Sequence, residues 1–272
     1  MRILSIGRII GVFAAAMFAC GHGAAAGTLR FGGTGAATEM LRHVGAAFSA
    51  ATEIQVDIIP SLGSSGALRA LQEGALDVAV SARPLRPEEK ASGLVAAEAI
   101  RTAFCLATSQ RDPNGLKSTE VAEIFASNEA AWRDGTPIRI ILRPKSESDT
   151  KLLGDLFPGM AAAIEQARQR TDVPIAATDQ DNADFAERVR GSLIGASLTQ
   201  LKMEKRSLRT IAIDGVEPTM ENFESGRYPY TKTMYVVLPA KAAPAAMRFV
   251  AYLRSSAGRV LLQETGNLPA SN

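Results

Sequence analysis

Three times in this chain a strand-like run ends in a turn of glycines or hydroxyls that opens a helical pattern. Leu29 to Phe31 leads through Gly32-Gly33-Thr34-Gly35 into a predicted helix over Ala36 to Ala50, with Met40, Leu41, Val44 and Phe48 on one face. Ile54 to Ile59 leads through Pro60-Ser61-Leu62-Gly63-Ser64-Ser65-Gly66 into a helix over Ala67 to Glu73, closed by Gly74. Ile138 to Leu142 leads through Arg143-Pro144-Lys145-Ser146-Glu147-Ser148-Asp149-Thr150 into a helix from Lys151 to Phe157. With Leu76 to Val80 as a third strand, the N-terminal part reads β-α-β-α-β. That order dictates a parallel sheet with right-handed crossovers. At each junction free backbone N–H groups and the positive end of a helix dipole meet small hydroxyl donors, which is an anion seat. Each junction alone is equally a capped helix start. Together, with Arg143 ahead of the third, they point to a cleft for a small oxyanion, because ligands of open α/β sheets sit at the carboxyl ends of strands.

The remaining pattern is mixed. Pro84 and Pro87 interrupt the chain, and a strand is predicted over Thr102 to Ala107. A short helix is expected over Ser118 to Phe125 with Ser118 as its N-cap, and Trp132-Arg133-Asp134-Gly135 is a turn. Ala183 to Val189 reads as helix, Leu193 to Ala196, Leu208 to Ile213 and Thr233 to Leu238 as strands, and Ala243 to Arg254 and Ser256 to Glu264 as helices.

Residues 1–26 read as a secretory signal: Arg2 and Arg8 precede an apolar run from Ile9 to Cys20, and Ala24-Ala25-Ala26 suits cleavage. A lipoprotein site at Cys20 is disfavoured by the bulky Met17-Phe18-Ala19. The expected product is a periplasmic chain of 246 residues from Gly27, enough for two lobes of about 120 residues each. Removing the two leader arginines from the 30 basic residues leaves 28 against 28 acidic ones. Zero net charge argues against nucleic acid, whose binding rests on a basic excess, and it requires any anion site to work through local dipoles and a few side chains. No sheet-edge or coiled-coil signal suggests assembly, so a monomer is expected.

Cys105 and His43 are the only cysteine and histidine left after the leader. No internal disulfide, zinc cluster or ordinary Ser-His-Asp triad can be built from them, so the expectation is no enzyme, no metal and no cofactor. Gly63-Ser64-Ser65-Gly66 departs from the nucleophile-elbow pattern, and Gly32 to Gly35 lacks the spaced glycine and acidic partner of a dinucleotide site.

In their order, these segments resemble the phosphate-binding proteins of bacterial ABC importers. Gly33-Thr34-Gly35 is similar to that family's first phosphate loop and Ser61 to Gly66 to its second. Gly74 to Leu85 resembles the segment that ends its first domain, and Leu116 to Phe125 with Trp132 to Gly135 its Leu-x7-Ile-Phe and Trp-x-Asp-Gly stretch. Arg143 with Ser148-Asp149-Thr150 resembles its arginine followed by Ser-Gly-Thr, and Gly226 to Tyr230 its Gly-x-Tyr-Pro. The resemblance implies a two-lobed α/β periplasmic-binding-protein-like fold with mixed sheets and two hinge crossovers, lobe one at 27–104 plus 233–272 and lobe two at 105–232. It also implies that phosphate or a similar oxyanion is captured between the lobes and handed to the membrane subunits of an ABC importer. The ligand set expected is Thr34, Gly35, Ser64, Ser65, Ser81, Arg143, Ser148, Asp149 and Thr150. Two departures bear on the ligand. Ala82 stands where known members carry the aspartate that accepts the proton of phosphate, and Asp149 stands where they carry glycine. Asp149 as a replacement acceptor and Arg83 as an added positive charge are the compensations this predicts. The alternative function is an exported sensory or accessory protein of the same fold with altered or lost anion specificity.

Overall fold

The computed structural model describes residues 27–270, so the predicted leader lies outside the described residues. The chain begins with β1 (Leu29–Gly33), a 3-10 turn at Gly35–Ala37, α1 (Thr38–Thr52), β2 (Val56–Ile59), α2 (Gly63–Gln72), β3 (Val78–Ser81), α3 (Pro87–Ala91) and β4 (Leu94–Thr108). It continues through α4 (Val121–Ala126), β5 (Arg139–Ile140), α5 (Ser148–Leu156), α6 (Met160–Ala167), α7 (Asp179–Arg188), β6 (Ser192–Ser197), α8 (Leu198–Met203) and β7 (Arg209–Thr210). It closes with α9 (Met220–Glu224), β8 (Thr231–Pro239), α10 (Pro244–Arg254), α11 (Ser256–Glu264) and β9 (Leu268–Pro269).

The strands run in the order β2-β1-β3-β8-β4-β6-β5, with β7 and β9 also pairing β4. The first three are parallel, as the β-α-β-α-β order requires, and β8 joins β3 antiparallel. Strand β4 organises the rest. It pairs with β8 as far as Ala103↔Thr231 and with β6 from Phe104↔Ser197. The fold is α/β and two-lobed, with a mixed sheet. The chain crosses between the lobes outward in β4 and back at the start of β8.

Alternating side-chain direction along these strands builds a core on each face, and β3 is buried on both. In the first lobe Val78, Val80, Met234 and Val236 point to the side of α1 and α10, where Phe249 packs edge-on against Phe31 at 4.5 Å and Phe48 at 5.4 Å. Ala79 and Val237 point the other way, to Ala67, Leu68 and Leu71 of α2. In the second lobe Phe104, Leu106, Phe125, Trp132 and Met160 form one core, and Ile141, Ala183, Ile194 and Leu201 the other. Tyr228 is buried, donates its hydroxyl to the Phe104 carbonyl at 2.9 Å and packs edge-on against Tyr230. Cys105 is fully buried, and burial pushes its thiol pKa up. His43 is exposed on α1.

Several element bounds differ from the sequence reading. The first predicted helix opens as a 3-10 turn. Gly63 to Gly66 forms the first turn of α2, not a turn before it; the turn out of β2 is made by Pro60 to Leu62, with Ser61 in the left-handed region at φ 63°. Ser118 does not cap α4; its backbone N–H donates to Asp214 at 3.0 Å, and the helix begins at Val121. Helix α7 begins at Asp179 because Thr178 and Asp181 form a capping box. Of Leu208 to Ile213 only Arg209–Thr210 is strand.

Gly33 ends β1 at the mouth of the first junction. A Cβ there would lie 2.4 Å from the Val80 carbonyl oxygen. Gly33→Ala therefore forces β1 away from β3, and an overpacking loss of about 1–3 kcal/mol is expected in urea unfolding.

Candidate functional site

The carboxyl ends of β1, β2, β3 and β5 carry the predicted residues to the cleft. At the first junction, Thr34 is buried and donates its N–H to the Val80 carbonyl at 2.9 Å. The turn that follows presents backbone N–H groups of its own. One of them, Ala36 N–H, donates to Asp179 Oδ2 at 3.1 Å. Asp179 belongs to α7 of the second lobe, so a carboxylate from one lobe caps a helix start of the other. Gly35 permits this approach: a Cβ there would sit 2.6 Å from Asp179 Oδ2 and 2.7 Å from Gln180 Oε1. Gln180 Nε2 also donates to the Gly35 carbonyl at 3.1 Å.

At the second junction, Ser64 accepts the Ala82 N–H at 2.9 Å, and its own hydroxyl donates to no acceptor among the described residues. The backbone of Ala82 thus supports the loop at the position where an aspartate was expected. Ser65 accepts from the Arg83 guanidinium at 3.2 Å. Arg83 does not add charge to the cleft, because Glu89 neutralises it through contacts of 2.7 and 2.8 Å. That pairing, through its hydrogen bond first, holds the Glu89 carboxyl below its ordinary range. Ser81 is fully buried, its hydroxyl donating to the Arg83 carbonyl at 2.7 Å and accepting the Arg83 N–H. It closes a turn and has no proton left for a ligand.

The third junction carries most of the charge. Arg143 is only 7% exposed. Its Nη1 donates to the Ala176 carbonyl at 2.9 Å, and its Nη2 lies 3.3 Å from Glu147 Oε2 and 3.9 Å from Asp179 Oδ2. Glu147 is the N-cap residue of α5, so Ser148 and Asp149 fall in the helix's first turn rather than in the loop ahead of it. The Glu147 carboxylate oxygens also lie about 4 Å from where a Gly63 Cβ would be, at the start of α2. Thr150 donates its hydroxyl back to the Pro144 carbonyl at 2.9 Å. Asp149 points to fully buried Lys232 Nζ, with contacts of 2.6 and 2.7 Å. It is a buried ion pair that pins α5 to the returning strand β8.

The structure therefore brings Gly35, the start of α2 at Gly63, Arg143 and the start of α5 together around the Asp179 and Glu147 carboxylates. It commits Ser81 and Thr150 to loop carbonyls and Asp149 to Lys232. Two residues of this arrangement were missed from the sequence. Lys232 had a signal: it shares the inward face of β8 with Met234 and Val236, and a lysine at a core register position needs a buried partner. Asp179 had none, because an acidic residue in a first helical turn is ordinary.

Burial first, then the neighbouring carboxylates of Asp179 and Asp149, raises the Glu147 carboxyl above its ordinary value against the opposing pull of Arg143. Burial likewise raises Asp149 against the pull of Lys232. Among the described residues no group of histidines, cysteines and acids is arranged to hold a metal ion. No helix among them is long and apolar enough to cross a membrane.

Comparison with known proteins agrees with this arrangement at the level of fold. Residues 19–257 match the sequence profile of the PBP superfamily domain. No curated protein matches. A structure assigned as a phosphate ABC transporter substrate-binding protein from Clostridium perfringens, solved with bound phosphate, superposes with a TM-score of 0.75 at 16% identity, over 90% of this chain and 100% of that one. An ABC-type phosphate transport receptor from Vibrio cholerae gives 0.60 at 15% identity, over 88% and 99%. The periplasmic molybdate-binding protein of Azotobacter vinelandii also gives 0.60, at 14% identity, over 88% and 98%.

Two predictions follow from the charges. Lys232→Met leaves Asp149 buried without its cation and should cost about 3–5 kcal/mol in urea unfolding at neutral pH, whereas the double change with Asp149→Leu should recover most of that loss. For Glu147, a folded pKa above the unfolded one means the folded state holds the extra proton in between, so stability falls as pH rises through that window. Thermal melts of Glu147→Gln and wild type should coincide at acid pH, with the variant gaining the advantage as pH rises past the ordinary carboxylate range.

Proposed function

The chain belongs to the PBP superfamily domain family, and from that premise we propose that it is an extracytoplasmic binding protein that takes phosphate or a related tetrahedral oxyanion between its lobes for the membrane subunits of an ABC importer. The observation that carries this reading is the meeting of an Ala36 N–H from one lobe with the buried Arg143 guanidinium of the other, at a single carboxylate. A donor set that holds one resident anion from both sides can hold an exogenous one. Ser64, with its proton free, and the start of α2 complete the cradle. The proposed lobe bounds, 27–104 plus 233–272 and 105–232, follow the hydrophobic cores except at Ala103, Phe104 and Leu268, which pack in the second-lobe core, and hinge closure about β4 and β8 would exclude water from the bound anion. The N-terminal leader supports export to the periplasm.

The carboxylates favour a second reading. Glu147, Asp149 and Asp179 face Arg143 and Lys232, so the cleft holds more acids than bases before any ligand arrives. An exported sensory or accessory protein with altered anion specificity would tolerate that balance.

Thermal melting of ligand-free protein against phosphate, sulfate, phosphonates, molybdate and tungstate separates the two. A ligand at about a hundred times its dissociation constant adds roughly 2.7 kcal/mol, a rise of about 5–10 °C for a domain of this size. One anion should give that rise, and Arg143→Ala and Ser64→Ala should each weaken it without unfolding the protein. No rise with any anion would favour the accessory role, and intact affinity in both variants would remove the site.

A further inference from the structure

The same cleft holds a contact that an oxyanion-binding site does not need for binding and would have to break. We propose that Asp179 is a resident carboxylate that occupies the anion seat and latches the two lobes together, so that an incoming oxyanion binds only by displacing it. The inference rests on the oxyanion reading of this cleft.

Three observations support it. The contact spans the lobes and is built from both sides: Ala36 N–H and the bare Gly35 backbone on one, Arg143 at 3.9 Å on the other. The segment that presents the carboxylate is held in place by its neighbours, with Gln200 Nε2 donating to the Asp179 carbonyl at 2.9 Å and Gln180 Nε2 to the Gly35 carbonyl at 3.1 Å. The guanidinium is also already occupied, with Nη1 on the Ala176 carbonyl at 2.9 Å and Nη2 at 3.3 Å from Glu147 Oε2 and 3.9 Å from Asp179 Oδ2, so a second anion finds no free face on it.

Charge leads to the same conclusion. Arg143 already faces Glu147 and Asp179, and Asp149 is matched by Lys232. Adding an oxyanion while Asp179 stays would place a third negative group on one guanidinium in a water-poor site. Swapping a singly charged ligand for the Asp179 carboxylate keeps the local balance, a doubly charged one adds a single negative charge instead of two, and either frees Ala36 N–H for the ligand. The latched state also lowers the apparent affinity by the fraction of molecules that are closed. Asp179 thus sets a threshold that a weakly held anion does not cross.

The test uses Asp179→Asn, which keeps the size and removes the charge, and Asp179→Ala, which removes the contact. Calorimetric titration with orthophosphate and molybdate is combined with X-ray scattering of the ligand-free proteins. The latch predicts at least tenfold tighter binding of one of these anions by Asp179→Asn than by wild type, and a larger ligand-free radius of gyration for Asp179→Ala. Equal or weaker binding by both variants, with wild type binding normally, overturns the latch and leaves the oxyanion reading intact. Absence of anion binding in wild type and both variants, while Asp179→Ala opens, overturns the oxyanion reading and the displacement step with it. If Asp179→Ala does not fold, the affinity of Asp179→Asn decides alone.

Discussion

A guanidinium withdrawn from water has to be surrounded by acceptors, and Arg143 imposes that requirement on the whole cleft. Its position follows from β5, which ends just before it, and its neutralisation draws in Glu147 from the start of α5 and Asp179 from the start of α7. Asp179 in turn reaches across to Ala36 in the other lobe. A separate pair, Asp149 with Lys232, ties α5 to the strand by which the chain returns to the first lobe. Arg143, Glu147, Asp179 and Ala36 therefore form a path across the cleft to the opposite lobe, and the Asp149–Lys232 pair is joined to it only through the first turn of α5. On the proposed function the same few residues govern what binds and how the lobes sit.

The framework was legible because it rests on local chemistry. Strand-turn-helix order, the apolar face of α1 and the glycine-serine turns specified the parallel sheet and put the three junctions at strand ends. Reading failed where a long-range contact decided the outcome. The first half of β4, from Leu94 to Arg101, carries Glu98 and Arg101 among alanines and shows no clean alternation; β8 and β9 make it a strand. Helix α5 starts at Ser148, which places Asp149 in its first turn, where the buried Lys232 from the returning strand pairs with it across 83 residues. Asp179 was invisible because its meaning depends on a backbone N–H 143 residues away.

The two departures from the phosphate-binding pattern take on physical content in this arrangement. Ala82 contributes a backbone N–H to Ser64 instead of a carboxylate to a ligand. Asp149 forms a buried pair with Lys232 and is not the replacement acceptor that its position suggested. The carboxylates that face the cleft are Glu147 and Asp179. On the proposed function these two and Arg143 set the charge a ligand can carry; Asp179 hydrogen-bonds across to the first lobe, and Glu147 approaches it at Gly63.

On the proposed function the anion seat lies between Ala36 and Arg143. Anomalous diffraction from crystals grown with tungstate tests it most directly. The account predicts a tungsten peak within hydrogen-bond reach of the Ala36 N–H and the Arg143 guanidinium, with the Asp179 side chain moved off the seat. A peak elsewhere on the molecule, with Asp179 still on Ala36, would contradict it.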